Sequence, residues 1–161
     1  MARTLRWHAA GIIRNRKGYL FLGCSGAGKS TICGLSKGAL IIHDDKIDLA
    51  KIRGKVYIHR SVKKKFYQIN SIFFIFQARS NRIGNISIAK ALKHMLTDSV
   101  AEFKRVLYSK NFQSSKYIFN FMLDMLGSIP YHKLYFKKGA GFWKTIDKLE
   151  VEINKKTPKS L

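Results

Sequence analysis

Nine consecutive residues, Gly23-Cys24-Ser25-Gly26-Ala27-Gly28-Lys29-Ser30-Thr31, follow the spacing glycine, four residues, then Gly-Lys-Ser/Thr, the pattern of a loop that wraps polyphosphate oxygens. Backbone N–H groups converge on such oxygens only where side chains are absent or small, and Gly23, Ser25, Gly26, Ala27 and Gly28 leave that room. Lys29 supplies a point charge for the β- and γ-phosphates and Ser30 a hydroxyl for magnesium, while a helix opening at Lys29 turns its positive end toward the anion. Shortly downstream stand Asp44 and Asp45, which offer hard oxygen ligands for the same cation and a base for an attacking hydroxyl.

That chemistry needs particular elements around it. Gly18 to Leu22 is a short apolar run and reads as a buried strand entering the loop, and Thr31 to Lys37 reads as a short helix stopped by Gly38. Ala39 to His43 then reads as a buried strand that delivers the two aspartates at its carboxyl end. The interval between Lys29 and Asp44 has room for one helix and one strand, which makes them neighbours. The alternatives are a chance glycine-rich turn and an acidic turn with Asp45 only capping; the complete motif and both flanks argue against the first, and the clustering of three acids between 44 and 48 against the second.

Upstream, Thr4 to Ile13 is apolar and partly alternating, with Leu5, Trp7 and Ala9 on one face and Arg6 and His8 on the other, so it reads as a strand. The turn signal Asn15-Arg16-Lys17-Gly18 pairs it in a hairpin with the strand entering the loop, and His8 on that strand could approach the phosphates. Downstream, Ile47 to Ile52 and Val56 to Ile58 form a second hairpin across Arg53-Gly54-Lys55, and Ile69 to Phe76 is a strong strand. Gln77 to Gly84 reads as a polar loop whose Arg79 and Arg82 are candidates for charge stabilisation. The spacing Ile88, Leu92, Leu96, Val100, Phe103, Leu107 is helical with Ser87 as N-cap, and Asp98-Ser99 is a point at which it divides. Tyr117 to Leu126 is a helix ended by Gly127, Tyr131 to Phe136 a strand, and Phe142, Trp143, Ile146, Leu149 and Ile153 one face of a last helix.

The chain has 161 residues, 46% of them hydrophobic, with two prolines, which suits one folded domain over residues 1–154 with a basic tail at 155–161. Cys24 and Cys33 are the two cysteines; a bridge between them would strain the loop, so both are expected as free thiols in a reducing compartment. No apolar amino-terminal run or membrane-length segment stands out, and a cytoplasmic setting is expected. Thirty-one Lys and Arg against nine Asp and Glu give a formal charge of +22, a field that attracts nucleic acid or an acidic partner. The densest stretch, Lys51 to Lys65, is interleaved with Tyr57 and leads into Phe66 and Tyr67, yet no nucleic-acid motif accompanies it and a solvated face is the preferred reading.

Taken together, His8-Ala9-Ala10-Gly11, the phosphate loop from Leu22 to Thr31 and Asp44-Asp45 resemble the HPr kinase family and its small relatives, whose nucleotide core is shared with phosphoenolpyruvate carboxykinases. The resemblance continues through Ile72-Phe73-Phe74 and Ile129-Pro130-Tyr131 to Phe142-Trp143. It implies an α/β fold: a phosphate-loop core with a mixed β-sheet, an amino-terminal hairpin and carboxyl-terminal helices. It also implies that Lys29 grips the nucleotide, that Ser30 and one of Asp44 and Asp45 serve magnesium, that an aspartate is the base toward a serine-like hydroxyl, and that His8 lies near the phosphates. The amino-terminal domain and carboxyl-terminal substrate motif of the true HPr kinases have no counterpart here, which argues against HPr itself as substrate.

The expectation is therefore a kinase using ATP and Mg2+ on a hydroxyl acceptor, and the resemblance implies a homo-oligomer, as members of that family often assemble. A nucleotide-gated protein holding nucleic acid or an acidic partner on its basic surface is the alternative. A transporter-type ATPase is set aside because the Leu-Ser-Gly-Gly-Gln signature is absent.

Overall fold

Two apolar runs of the sequence are buried on both sides, and the remaining elements are arranged around them. In the computed structural model, which describes residues 4–98 and 112–156, β3 (Lys17–Leu22) and β7 (Lys65–Gln77) lie parallel, with Leu20 beside Ile72 and Leu22 beside Phe74. Successive side chains of a strand point to opposite faces. Leu20, Leu22, Ile72 and Phe74 accordingly join one apolar cluster, and Tyr19, Phe21, Phe73 and Ile75 another. A parallel pair with no face left to water has to be apolar throughout, without alternation.

The sheet has the order β1-β5-β6-β7-β3-β2-β4, with β9 beside β7 and β8 beside β9. Its remaining strands are β1 (Thr4–His8), β2 (Ala10–Arg14), β4 (Leu40–His43), β5 (Lys46–Ile52), β6 (Lys55–Arg60), β8 (Arg82–Gly84) and β9 (Tyr131–Phe136). Strand β7 joins two regimes: its first residues pair antiparallel with β6, and Ile72 to Gln77 pair parallel with β9. Helices α2 (Ile88–Asp98) and α3 (Phe112–Ser128) cover the first cluster through Ala91, Met95, Phe121, Met122 and Met125. Helices α1 (Lys29–Leu35) and α4 (Phe142–Lys156) cover the second through Ile32, Phe142, Trp143 and Ile146. The result is a mixed α/β architecture in three layers. Among the described residues no helix is long and apolar enough to cross a membrane.

Several expectations need correction. Thr4 to Ile13 is two strands, because the chain changes partners at the buried Ala9: β2 makes the expected hairpin with β3, but β1 leaves to pair with β5. Asn15 and Arg16 both have positive φ, 51° and 64°, the two-residue turn whose twist matches a hairpin. Strand β4 is not buried: among the described strands it pairs with β2 alone, and Leu40 is exposed. Strand β7 begins earlier than its apolar run, at Lys65, where one side is open to water and polar residues suffice. The polar loop after Gln77 contains the short strand β8. Helix α3 passes through Gly127 to Ser128, and α4 continues to Lys156, two residues into the expected tail. Ser87 Oγ accepts the Lys90 N–H at 3.4 Å, as an N-cap does. Val100, Phe103, Leu107 and the tail from residue 157 lie outside the described residues.

Candidate functional site

The nine-residue motif forms a turn between the end of β3 and the start of α1, held by its own backbone and by one side chain from outside. The Ala27 N–H donates to the Cys24 carbonyl at 3.1 Å and the Ile32 N–H to the Gly28 carbonyl at 2.9 Å. Gln77 Nε2, at the end of β7, donates to the Gly26 carbonyl at 3.0 Å. Gly28 has φ +108°, and a Cβ there would stand 2.5 Å from Phe136 Cζ; only glycine satisfies both conditions. Lys29 is 7% exposed and turns back over the loop, its Nζ donating to the carbonyls of Gly23 at 2.6 Å and Cys24 at 3.1 Å. Burial lowers the Lys29 pKa, opposed by the negative charge of Asp98, Cys24 and Asp45. Helix α1 is fixed from behind: Ser36 Oγ donates to the Ile32 carbonyl at 2.7 Å and accepts the Trp143 Nε1–H of α4 at 2.9 Å.

Asp44 and Asp45 lie in the bend between β4 and β5. His43 shapes that bend, its Nδ1 accepting the N–H groups of Asp45 and Lys46, both at 3.1 Å. The same Nδ1 lies 3.7 Å from Asp44 Oδ1. His8 reaches the doublet by a route different from the expected one. It stands on β1 opposite Lys46 of β5, next in sequence to Asp45, and its Nε2 lies 2.6 Å from Asp45 Oδ1. His8, Ser25, Gly26, Gly28, Lys29, Ser30, Thr31, Asp44 and Asp45 line one cleft of about 260 Å³. Gly23, Cys24 and Ala27 belong to the adjoining wall of the loop.

Sequence reasoning missed four residues. Gln77 and Lys138 also line the cleft; Gln77 ends an apolar strand as ordinary polar punctuation, and Lys138 is one of many lysines. His94 and Asp98, on α2, line a second hollow of about 530 Å³ on the other side of the loop, with Cys24, Gly26, Phe74, Phe76 and Thr97 among its walls. Asp98 Oδ2 is buried with no hydrogen-bond partner among the described residues. Burial raises the Asp98 pKa, while His94, Lys29 and His8 pull it down. Asp98 was visible in the sequence only as a break in helical spacing. Arg79 and Arg82 line neither depression, and Arg82 lies over the Tyr135 ring, 3.6 Å from its centroid.

The donors present suit a magnesium ion that keeps most of its shell from water and phosphate, since Ser30, Asp44 and Asp45 offer hard oxygens on one cleft. Among the described residues no group of three or more His, Cys, Asp or Glu side chains could hold a metal unaided.

No protein-family model matches this sequence, and no curated protein does. Among solved structures, the HPr(Ser) kinase/phosphatase from Coxiella burnetii aligns with 93% of this chain and 99% of its own at 10% identity, with a TM-score of 0.46.

Proposed function

We propose that this protein is a magnesium-dependent ATP phosphotransferase acting on a hydroxyl acceptor. The observation that carries the reading is the convergence on one cleft of the phosphate-loop residues, Lys29, Ser30, the Asp44-Asp45 doublet and His8, from the turn after β3, the start of α1, the β4–β5 bend and strand β1. Loop amides and Lys29 hold the polyphosphate, and Ser30 with the doublet places the cation. Magnesium, when bound, neutralises charge on the phosphoryl oxygens and so favours their attack by a nucleophile. His8 fixes the Asp45 carboxylate against rotation. A carboxylate facing the terminal phosphate takes the proton of the attacking hydroxyl, and positioning supplies most of the acceleration.

Titration of Mg-ATP into wild type and Lys29→Ala tests the reading. We expect micromolar binding by wild type and a loss of at least tenfold in the variant; equal affinities would reject it. A second reading, a nucleotide-gated protein that holds a polyanion, is favoured by the exposed Lys63, Lys64 and Lys65 beside the exposed apolar Val62 and Phe66.

A further inference from the structure

The cleft and the 530 Å³ hollow share Ser25, Gly26 and Gln77, so the phosphate loop is the partition between them. The two sides differ in chemistry. The cleft carries Lys29, Ser30, the aspartate doublet and Lys138, a setting for anions and a cation. The hollow is floored by Leu22, Phe74, Ile75 and Phe76 and has polar groups along one wall, His94, Thr97 and Asp98. An apolar chamber of that volume with a few convergent polar groups is the form of a small-molecule subsite. It is also placed at a particular end of the loop. The Lys29 ammonium lies against the carbonyls of Gly23 and Cys24, and a phosphate-loop lysine serves the β- and γ-phosphates. The hollow opens on those same first residues of the loop, the end at which a nucleotide gripped by Lys29 would carry its terminal phosphate.

Resting on the reading above, we infer that this hollow is the acceptor subsite, that it takes an uncharged alcohol with an apolar body, and that Asp98 is the catalytic residue that receives its proton. The doublet is less suited to that step, because Asp45 is held by His8 and both aspartates are about half exposed on the cation side of the loop. Asp98 instead lines the hollow, its Oδ2 is buried with no hydrogen-bond partner among the described residues, and the charge of Lys29 acts on it. In the step, the acceptor oxygen forms a bond to the γ-phosphorus as its proton passes to the Asp98 carboxylate. The bond from that phosphorus to the bridging oxygen breaks, and its electron pair leaves with ADP. Burial that holds a carboxyl above its usual range brings its proton affinity closer to that needed by a base at neutral pH.

The test compares wild type with Asp98→Asn. In EDTA, we expect ATP to bind the variant several-fold more tightly, because a negative charge beside the terminal phosphate has been removed. With magnesium and benzyl alcohol as probe, wild type should form ADP and benzyl phosphate, and the variant should do so at least 100-fold more slowly. Unchanged affinity together with an unchanged rate would overturn the assignment of Asp98. Wild type that binds Mg-ATP but phosphorylates glycerol and not benzyl alcohol would overturn the apolar acceptor. Wild type that binds no Mg-ATP would overturn the kinase reading itself and this inference with it. Misfolding is separable, since the variant's thermal midpoint at pH 7 should equal or exceed that of wild type.

Discussion

Gly28 and Cys33 give residue-scale tests of whether the loop has the geometry described. Replacing Gly28 with alanine forces a side chain onto φ +108° and against Phe136, and we expect a loss of about 1–3 kcal/mol in urea unfolding. Cys33 is buried, and burial, aided by Asp44, pushes its thiol up to about 11, whereas Cys24 is exposed. Iodoacetamide at pH 8 should therefore modify Cys24 and spare Cys33 until the protein unfolds, which mass spectrometry reads directly. Asp98 and His132 make opposite contributions to pH dependence. The folded state raises the Asp98 pKa above 3.8 under the influence of burial, with His94, Lys29 and His8 opposing; its contribution is full below 3.8 and is lost as pH rises through the folded value. Burial lowers the His132 pKa below 6.5, so its contribution is full above 6.5 and is lost as pH falls. Denaturation midpoints measured across pH should show Asp98→Asn removing the first trend and leaving the second.

At the scale of elements, β7 decides the architecture because it pairs with β6, β3 and β9 along its length. Phe73 at its centre is fully buried and stacks on Phe21 of β3 with centroids 5.6 Å apart. Phe73→Ala should cost about 3–5 kcal/mol in chemical denaturation and loosen the strand that ends at Gln77 behind the loop. The same strand shows what a sequence can and cannot reveal. Ile69 to Phe76 was legible because both faces are buried, and Tyr131 to Phe136 because Pro130 marks its start. Lys65 to Gln68 was not, since pairing with β6 leaves those side chains largely in water and no apolar pattern is required. The break at Ala9 was hidden for the opposite reason: burial continues through it while only the hydrogen-bonding partner changes. Of the candidate site, the loop and the doublet were legible because their residues are close in sequence. Asp98 and Gln77 approach the loop only through tertiary packing, which leaves no local signal.

At the scale of the whole molecule, nine acidic residues face 31 Lys and Arg, and their placement is uneven. Asp48, Asp124, Asp147 and Glu150 pair with Arg6, Lys51, Arg14 and Lys17 and tie strands and helices together. Glu150 also accepts from Tyr19 and Asn70, which fastens α4 to the sheet. Asp44, Asp45 and Asp98 line the two depressions on either side of the Gly23–Thr31 loop. Most of the basic surface is left uncompensated, and such a field draws polyanions whether or not they are the natural partner. Discriminating the two functional readings requires separating that general attraction from the loop. Lys63 and Lys65 are exposed at the end of the β6–β7 connection, outside the cleft and the hollow. Each lysine that meets a single-strand phosphate adds about 0.7 to the slope of log affinity against log salt. Lys63→Ala/Lys65→Ala should therefore reduce that slope for a single-stranded oligonucleotide by about 1.4, measured by anisotropy from low to moderate salt. Its affinity for Mg-ATP should be unchanged if the cleft acts as a kinase site, whereas coupled loss of both ligands would favour the nucleotide-gated reading.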